Sequence, residues 1–379
     1  LMFKSNLFKR PPWRFVFIIL SAFLALRYLV WRTTVSLVYT GFWDFIAMTA
    51  LYLAEVYSMI IHLLGMFVNL WPMRNRPALL PSDTALYPTI DVLIPTYDEF
   101  HEIVRVTAIA ATQMDYPRDK IRIYLCDDGG TVNKRRHPVS GAEAWERHYR
   151  LRRLARDLGI RYLTRESNRS AKAGNVNHAL NHTTGDLILV LDCDHVPTRD
   201  FLSRTVEYFI ADPKLFLVQT PHFFINPSPI EANVAGTGNP SAESDLFYRE
   251  IHRSLDFWNA SYFCGSAAVL RRTHLMQAGG LCGRTITEDA ETALKLHSAG
   301  YNSTYMDMPM VCGLAPDDYD SYILQHTRWA QGMTQLLVTQ NPLTTPGLSL
   351  QQRLCYFNSC FFWSFGFARI MFYIAPALF

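Results

Sequence analysis

Residues 13–31 are almost wholly apolar and bracketed by Trp13 and Trp31, and as a helix they would cross about 30 Å of hydrocarbon. A second run, residues 42–71, is longer than one span needs and carries Asp44, Glu55 and His62. Composition supports a membrane reading: 18% of the chain is charged against 49% hydrophobic, whereas a soluble domain averages about a quarter charged. No small-residue cleavage site follows the first run, which argues against a signal peptide.

Lys4, Lys9, Arg10 and Arg14 precede the first run, and Arg74 and Arg76 follow the second. The positive-inside rule then puts both outer flanks in the cytoplasm and the short connection outside. Arg27 and Asp44 are expected at similar depth, and hence as an ion pair. Glu55, placed deeper, is expected in a helix-to-helix hydrogen bond, although an intramembrane carboxylate is also a functional candidate. From Leu348 the chain turns apolar again. GLSLQQRLCYFNS has the pattern of an interfacial amphipathic helix, and a further span begins after it. The chain opens on Leu1 and stops at Phe379 within that run, so a piece of a longer protein is expected.

Between the apolar ends lies a different pattern. TIDVLIP, IRIYLC, IRYLT and DLILVLD alternate with helical stretches at 102–113, 142–158 and 175–180. Such alternation predicts an α/β domain with a mainly parallel sheet and helices on both faces, whose ligands sit beyond the carboxyl ends of the strands. The predicted division is two transmembrane helices over 1–76, the α/β domain over 77–345, and the interfacial helix with the next span over 346–379.

Acids stand at three of those strand ends: Tyr97-Asp98-Glu99, Asp127-Asp128-Gly129-Gly130 and Asp192-Cys193-Asp194-His195. Helix capping explains one such acid easily, but three in succession point to a site. There is no GxGxxG and no GxxxxGK[ST], so neither a dinucleotide fold nor a P-loop is supported. Asp192 and Asp194 are spaced to share one hard cation, Mg²⁺ or Mn²⁺, which would neutralise a departing diphosphate. Asp127 and Asp128 can accept a hydrogen bond from an imide N–H such as uracil presents. Lys172, where a helix should begin, is placed for a phosphate; read alone it is a solvated surface charge. Asp289, in Thr287-Glu288-Asp289, is either a helix cap or a general base, since an Asp with a pKa of about 3.9 is ionised at neutral pH. In Gln325-His326-Thr327-Arg328-Trp329 the Arg can grip a diphosphate and the Trp can lie against a sugar ring. Seven cysteines without a CxxC pair make a disulfide framework or zinc site a poor reading. A net charge of +3 without a basic stripe gives no case for nucleic acid.

In order, Asp128, Asp192-Cys193-Asp194, Thr287-Glu288-Asp289 and Gln325-x-x-Arg328-Trp329 resemble the D, D, D, Q-x-x-R-W pattern of family-2 processive glycosyltransferases. QTPHFF (219–224), YFCGSAAVLRR (262–272) and TEDAETAL look like bacterial cellulose synthase catalytic subunits, over nearly the whole chain. The resemblance implies a cytoplasmic GT-A glycosyltransferase domain inserted between transmembrane helices of the bacterial inner membrane. Its activity would be transfer of glucose from UDP-glucose to a β-1,4-glucan that leaves through the membrane helices. Carried over residue by residue, Tyr97 and Asp128 hold uridine with Glu99 nearby, and Lys172 and Arg328 contact the diphosphate. Asp192 and Asp194 lie at the metal, Asp289 is the base, Trp329 stacks on the acceptor, and Phe263 and Cys264 fall on the acceptor side. A periplasmic accessory subunit is implied as partner, and cyclic-di-GMP through a C-terminal domain beyond Phe379. The pattern departs in having Asn168-Arg169-Ser170 before Ala171-Lys172, where the family has Asn-Glu-His, and Asp98 where Asn is common. Rival readings are a hyaluronan, chitin or other β-glycan synthase, and an inactive nucleotide-binding scaffold.

Overall fold

The computed structural model describes residues 13–70, 80–81, 83–234 and 243–378. The flanking Lys4, Lys9, Arg10, Arg74 and Arg76, and the division at 76/77, lie outside the described residues. Two helices, α1 (Trp13–Thr34) and α2 (Phe42–Val68), are long and apolar enough to cross a membrane. Side chains with few polar atoms leave each helix to satisfy its own backbone, and the polar groups that do occur find partners on the other helix. Ser21 meets His62 at 3.1 Å, Thr33 meets Tyr52 at 2.8 Å, and Arg32 Nε donates to Glu55 Oε2 at 2.7 Å. The expected helix-to-helix bond of Glu55 is therefore present, with Arg32 as its donor.

The expected Arg27–Asp44 pair is not formed. Asp44 instead accepts from the Thr40 amide at 2.7 Å, closing the entry to α2. The register that brings Arg32 level with Glu55 leaves Arg27 and Asp44 on opposite sides of that pair along the helix axes. The connection between the helices sets that register.

The α/β domain is built on a seven-stranded sheet. In chain order its strands are β1 (Ile90–Thr96), β2 (Ile121–Asp127), β3 (Arg161–Leu163), β4 (Leu187–Val190), β6 (Leu215–Gln219), β8 (Ala268–Arg271) and β9 (Asn302–Tyr305). Across the sheet they lie in the order β3-β2-β1-β4-β8-β6-β9. β3, β2, β1 and β4 run parallel, whereas β8 lies antiparallel to both β4 and β6. β5 (Val196–Pro197), β10 (Val311–Gly313) and β7 (His222–Phe224) form a small second sheet in that order. The fold is that expected, and the reversed strand is the addition to it.

Every residue of β1 is buried, as a strand covered on both faces requires. One face packs Val104 and Ala108 of α3 (His101–Thr112), Leu151 and Leu154 of α4 (Gly141–Asp157), and Phe201 and Val206 of α6 (Phe201–Ala211). The other packs α5 (Ala171–Leu180), α7 (Glu288–Ser298), α8 (Tyr319–Thr339), α9 (Leu350–Phe361) and Val68 at the end of α2. Leu93 and Leu125 have no exposed surface, so truncating either to Ala would cost about 2–5 kcal/mol.

The predicted amphipathic helix is α9. Ser349 and Gln352 cap it reciprocally, at 3.2 Å and 3.0 Å, satisfying amides a helix start leaves free. Cys355, Tyr356 and Cys360 turn inward while Leu350 is exposed. A 3₁₀ turn, Phe362–Ser364, leads to α10 (Phe365–Leu378). Tyr57 of α2 donates to the carbonyls of Phe361 and Phe362 at 3.1 and 2.8 Å, covering oxygens that the break exposes. At the end of α2 the indole of Trp258 donates to the Val68 carbonyl at 3.1 Å and stacks on Phe67 at 4.5 Å. Ser254 donates to Asn69 Oδ1 at 2.9 Å beside it.

Candidate active site

Parallel pairing aligns Thr96 of β1 with Asp127 of β2, so the acids after these strands and after β4 share one end of the sheet. Because β8 is reversed, the segment before it, not after it, reaches the same end. The Asp192 amide donates to Ser266 Oγ at 2.8 Å, which ties that segment to the acids after β4.

Asp127 is completely buried. Its oxygens accept from the Gly129 amide at 2.9 Å, Arg147 Nε at 3.1 Å and Tyr162 Oη at 2.7 Å. The imide reading is corrected for this residue: its carboxylate shapes the Gly129 turn from inside the protein. Asp128, 3% exposed, is gripped by Arg165, with Nε on Oδ1 at 2.7 Å and Nη2 on Oδ2 at 2.6 Å. A carboxylate has about four lone-pair sites, so capacity remains on it for a ligand. Arg165 was not singled out in the sequence. The signal was available, since it follows IRYLT directly, as the acids follow the other strands.

Tyr97 is exposed, with Lys134 Nζ 3.5 Å above its ring. Glu99 turns back to accept from Thr96 Oγ1 and the Tyr97 amide, both at 2.7 Å. Burial pushes its carboxyl up, but these hydrogen bonds outweigh that and hold the pKa below the usual value. Asp98 lines an adjoining hollow with Glu143, Glu146, Arg147 and Arg150.

Lys172 is the second residue of α5 and pairs with Asp192. Burial disfavours the ammonium, yet the carboxylates of Asp192 and Glu288 prevail and raise its pKa. For Asp192 burial acts upward and the Lys172 ammonium downward, with a net lowering. Asp194 goes the other way, raised by burial while His195 offsets part of that and the Asp192 charge adds to it. Ligand atoms of Asp192, Asp194 and His195 lie within 4.8 Å of one another, a set that could hold a metal ion. Two carboxylates and an imidazole suit a divalent cation of the Mn²⁺ or Mg²⁺ kind, and a cation would offset the Asp192 charge that adds to the effect of burial on Asp194. His195 is thus a candidate ligand that the D-x-D reading passed over. Its Nδ1 is bonded to Ser266 Oγ at 2.7 Å, which fixes the ring.

Asp289 lies in the first turn of α7, where Oδ1 accepts from the Ala290 amide at 2.8 Å. Burial and the neighbouring Glu288 carboxylate push its pKa up to about 7, the range in which a general base works best at neutral pH. The Cys264 amide donates to Gln219 Oε1 at 2.8 Å, and its Sγ lies 3.3 Å from His252 Nε2. Burial and Asp289 push that thiol well up. Phe263 requires correction: its side chain is 1% exposed and packed in the core. It points inward, so its ring cannot lie along a sugar.

Gln325, Arg328 and Trp329 lie on α8. Trp329 is 42% exposed, with His326 at 4.9 Å and Trp363 at 6.5 Å. Arg328 is exposed and close enough to Glu288 for its charge to act there. The helix is clamped to the residues on both sides of Asp289. The Ile286 amide donates to Gln335 Oε1 at 3.0 Å, and Gln340 Nε2 donates to Glu291 Oε1 at 2.7 Å. A side chain at Gly332 would collide with Thr287.

Residues 91–279 match the model of glycosyl transferase family 2, and residues 187–379 that of glycosyl transferase family group 2. The chain is 41% identical over 359 residues to a UDP-forming cellulose synthase catalytic subunit of Pseudomonas fluorescens (strain SBW25), covering 95% of this chain and 46% of that protein. It is 42% identical over 352 residues to the subunit so named in Xanthomonas axonopodis pv. citri (strain 306), covering 93% and 46%. The chain therefore spans a little under half the length of these relatives. Among solved structures, a mannosyltransferase from Pyrobaculum calidifontis in complex with GDP-Man and Mn2+ superposes with a TM-score of 0.62 at 20% identity, covering 88% of this chain and 87% of that one. That is a likeness of fold.

Proposed function

The chain belongs to glycosyl transferase family group 2, and on that premise we propose that it is the catalytic part of a membrane-bound cellulose synthase. The reaction is transfer of glucose from UDP-glucose to the non-reducing end of a β-1,4-glucan. The observation that carries the reading is the meeting of Asp192, Asp194, Lys172 and Asp289 at one end of the sheet. Its curated relatives are UDP-forming, which is the support for UDP as leaving group.

Tyr97 and Asp128 take the uridine, with Glu99 and Asp127 shaping the turns beneath them. Lys172 and Arg328 take the diphosphate. Asp192, Asp194 and His195 would hold Mg²⁺ or Mn²⁺, which supplies positive charge against the phosphate oxygens. Asp289 accepts the proton of the acceptor's 4-hydroxyl as that oxygen attacks C1 from the face opposite UDP. The bond from C1 to the UDP oxygen breaks with its electron pair leaving on UDP, so the configuration inverts. Trp329 and Cys264 border the acceptor, and Gln325 lies one helical turn before Arg328. The helices α1 and α2 cross the bacterial inner membrane with the domain on the cytoplasmic side, and the glucan passes outward between membrane helices.

The test is UDP release by the full-length protein in membranes with Mg²⁺ or Mn²⁺. UDP-glucose is compared with UDP-N-acetylglucosamine and UDP-glucuronate, and the product is digested with a β-1,4-glucanase. Release with UDP-glucose and a digestible polymer is expected. Release with another donor only would keep the chemistry and overturn the sugar, and absence of both UDP release and nucleotide binding would overturn the reading.

A further inference from the structure

The departure from the family pattern at Asn168-Arg169-Ser170 sits on unusual backbone. Ser170 and Ala171, the two residues before Lys172, have φ of +58° and +41°. For residues with a Cβ this left-handed region is costly, and two in succession do not persist unless their surroundings hold them. What holds them is Arg165, whose side chain is 9% exposed. While Nε and Nη2 grip Asp128, Nη1 donates to the Arg169 carbonyl at 2.7 Å and Nη2 to the Ala171 carbonyl at 2.9 Å. Gly174 completes the fit, because a side chain there would strike the Arg169 carbonyl and Arg165 Nη1.

We infer that Arg165 is a positioning residue for Lys172. One rigid guanidinium spans the carboxylate after β2 and the two carbonyls on either side of Ser170, so it fixes where α5 begins and where the Lys172 ammonium lies. The inference rests on the reading of Lys172 as the diphosphate contact. It also accounts for the tolerance of Arg169-Ser170 in this chain: the segment presents its carbonyls to Arg165, and those do not depend on the side chains it carries. A Lys at 165 could meet Asp128 but has no planar fork with which to reach both carbonyls.

The test is a double-mutant cycle read by UDP release from UDP-glucose, using full-length protein in membranes and normalised to folded protein. Arg165→Lys is expected to lower kcat/KM about tenfold, and by less than about twofold when made in a Lys172→Met background, since the group it positions is then gone. Ser170→Gly, which makes the left-handed backbone inexpensive, is expected to restore part of the loss in Arg165→Lys. Equal losses in both backgrounds, or no recovery with Ser170→Gly, would overturn the inference. Neither outcome touches the parent reading, which fails only if the unsubstituted protein neither binds nucleotide nor releases UDP.

Discussion

Lys172 and Asp289, each from the first turn of a different helix, meet over Gly265. A methyl group on Gly265 would lie 3.3 Å from Asp289 Oδ2 and 3.4 Å from Lys172 Nζ. The glycine also has φ of +82°, so a side chain there is opposed by backbone strain and by crowding together. Gly265→Ala is expected to lower turnover about a hundredfold, the loss that goes with a displacement of about 1 Å at a reacting group. Retention of more than half the turnover in purified, folded protein would show the two charged groups to be less closely set.

The pH dependence should report Asp289. In the proposed reaction the carboxylate is the working form, and burial and Glu288 push its pKa up to about 7. Activity should therefore rise with pH through neutrality and level off above it. Glu288→Gln removes the like charge, so the rising limb should move to lower pH. The apparent pKa belongs to the interacting pair, and a profile unmoved by Glu288→Gln would refute the coupling.

Asp289→Asn should abolish turnover by about 10²–10⁴-fold while UDP binding persists. It should also change stability in a defined direction. With its pKa raised above the unfolded value, the folded state holds the proton more tightly, so the stability that Asp289 contributes is present at low pH and declines as pH rises toward 7. The Asn variant lacks that decline. Its melting temperature relative to the parent should be higher at pH 8 than at pH 4.5, and the reverse order would contradict the raised pKa.

Chelation should stop UDP release, and Mg²⁺ or Mn²⁺ should restore it. Asp194→Asn and His195→Ala should each raise the metal concentration giving half-maximal rate, His195→Ala more for Mn²⁺ than for Mg²⁺, since imidazole suits the softer ion. Metal-independent turnover in the parent would remove the cluster from the reaction.

Arg32 and Glu55 should behave as a unit. Removing one charge strands the other in an apolar setting, a loss of about 3–5 kcal/mol for a buried pair. Arg32→Leu alone should therefore destabilise the detergent-purified protein more than Arg32→Leu with Glu55→Leu. A double variant less stable than either single would show that the pair itself is favourable in place.

The acids at the strand ends were legible because each followed a strand whose apolar run was unmistakable: Asp127 after IRIYLC, Asp192 after DLILVL. Three things were not. The reversal of β8 leaves no trace in AVLR, since an apolar run reads the same in either direction. The partner of Glu55 depends on the register of two helices, which the connection between them sets. The burial of Phe263 beside partly buried Cys264 depends on which face of the chain meets the core, and in an irregular segment no period reports that. Arg165 was overlooked for a different reason. An arginine after a strand looks like a surface charge until its four acceptors are brought together by two separate stretches of chain, Asp128 and residues 169–171.

The seam where Trp258 and Ser254 close on Val68 and Asn69 has a consequence for the repeated additions to one polymer proposed above. A domain hung on a linker would sample many bearings and would have to recover the productive one at every cycle. Here the indole fills a carbonyl that the helix end leaves open, so the bearing of the site relative to α2 is part of the fold. The orientational entropy is surrendered once, during folding, and under the proposed reaction each newly extended chain end would meet the same site from the same direction.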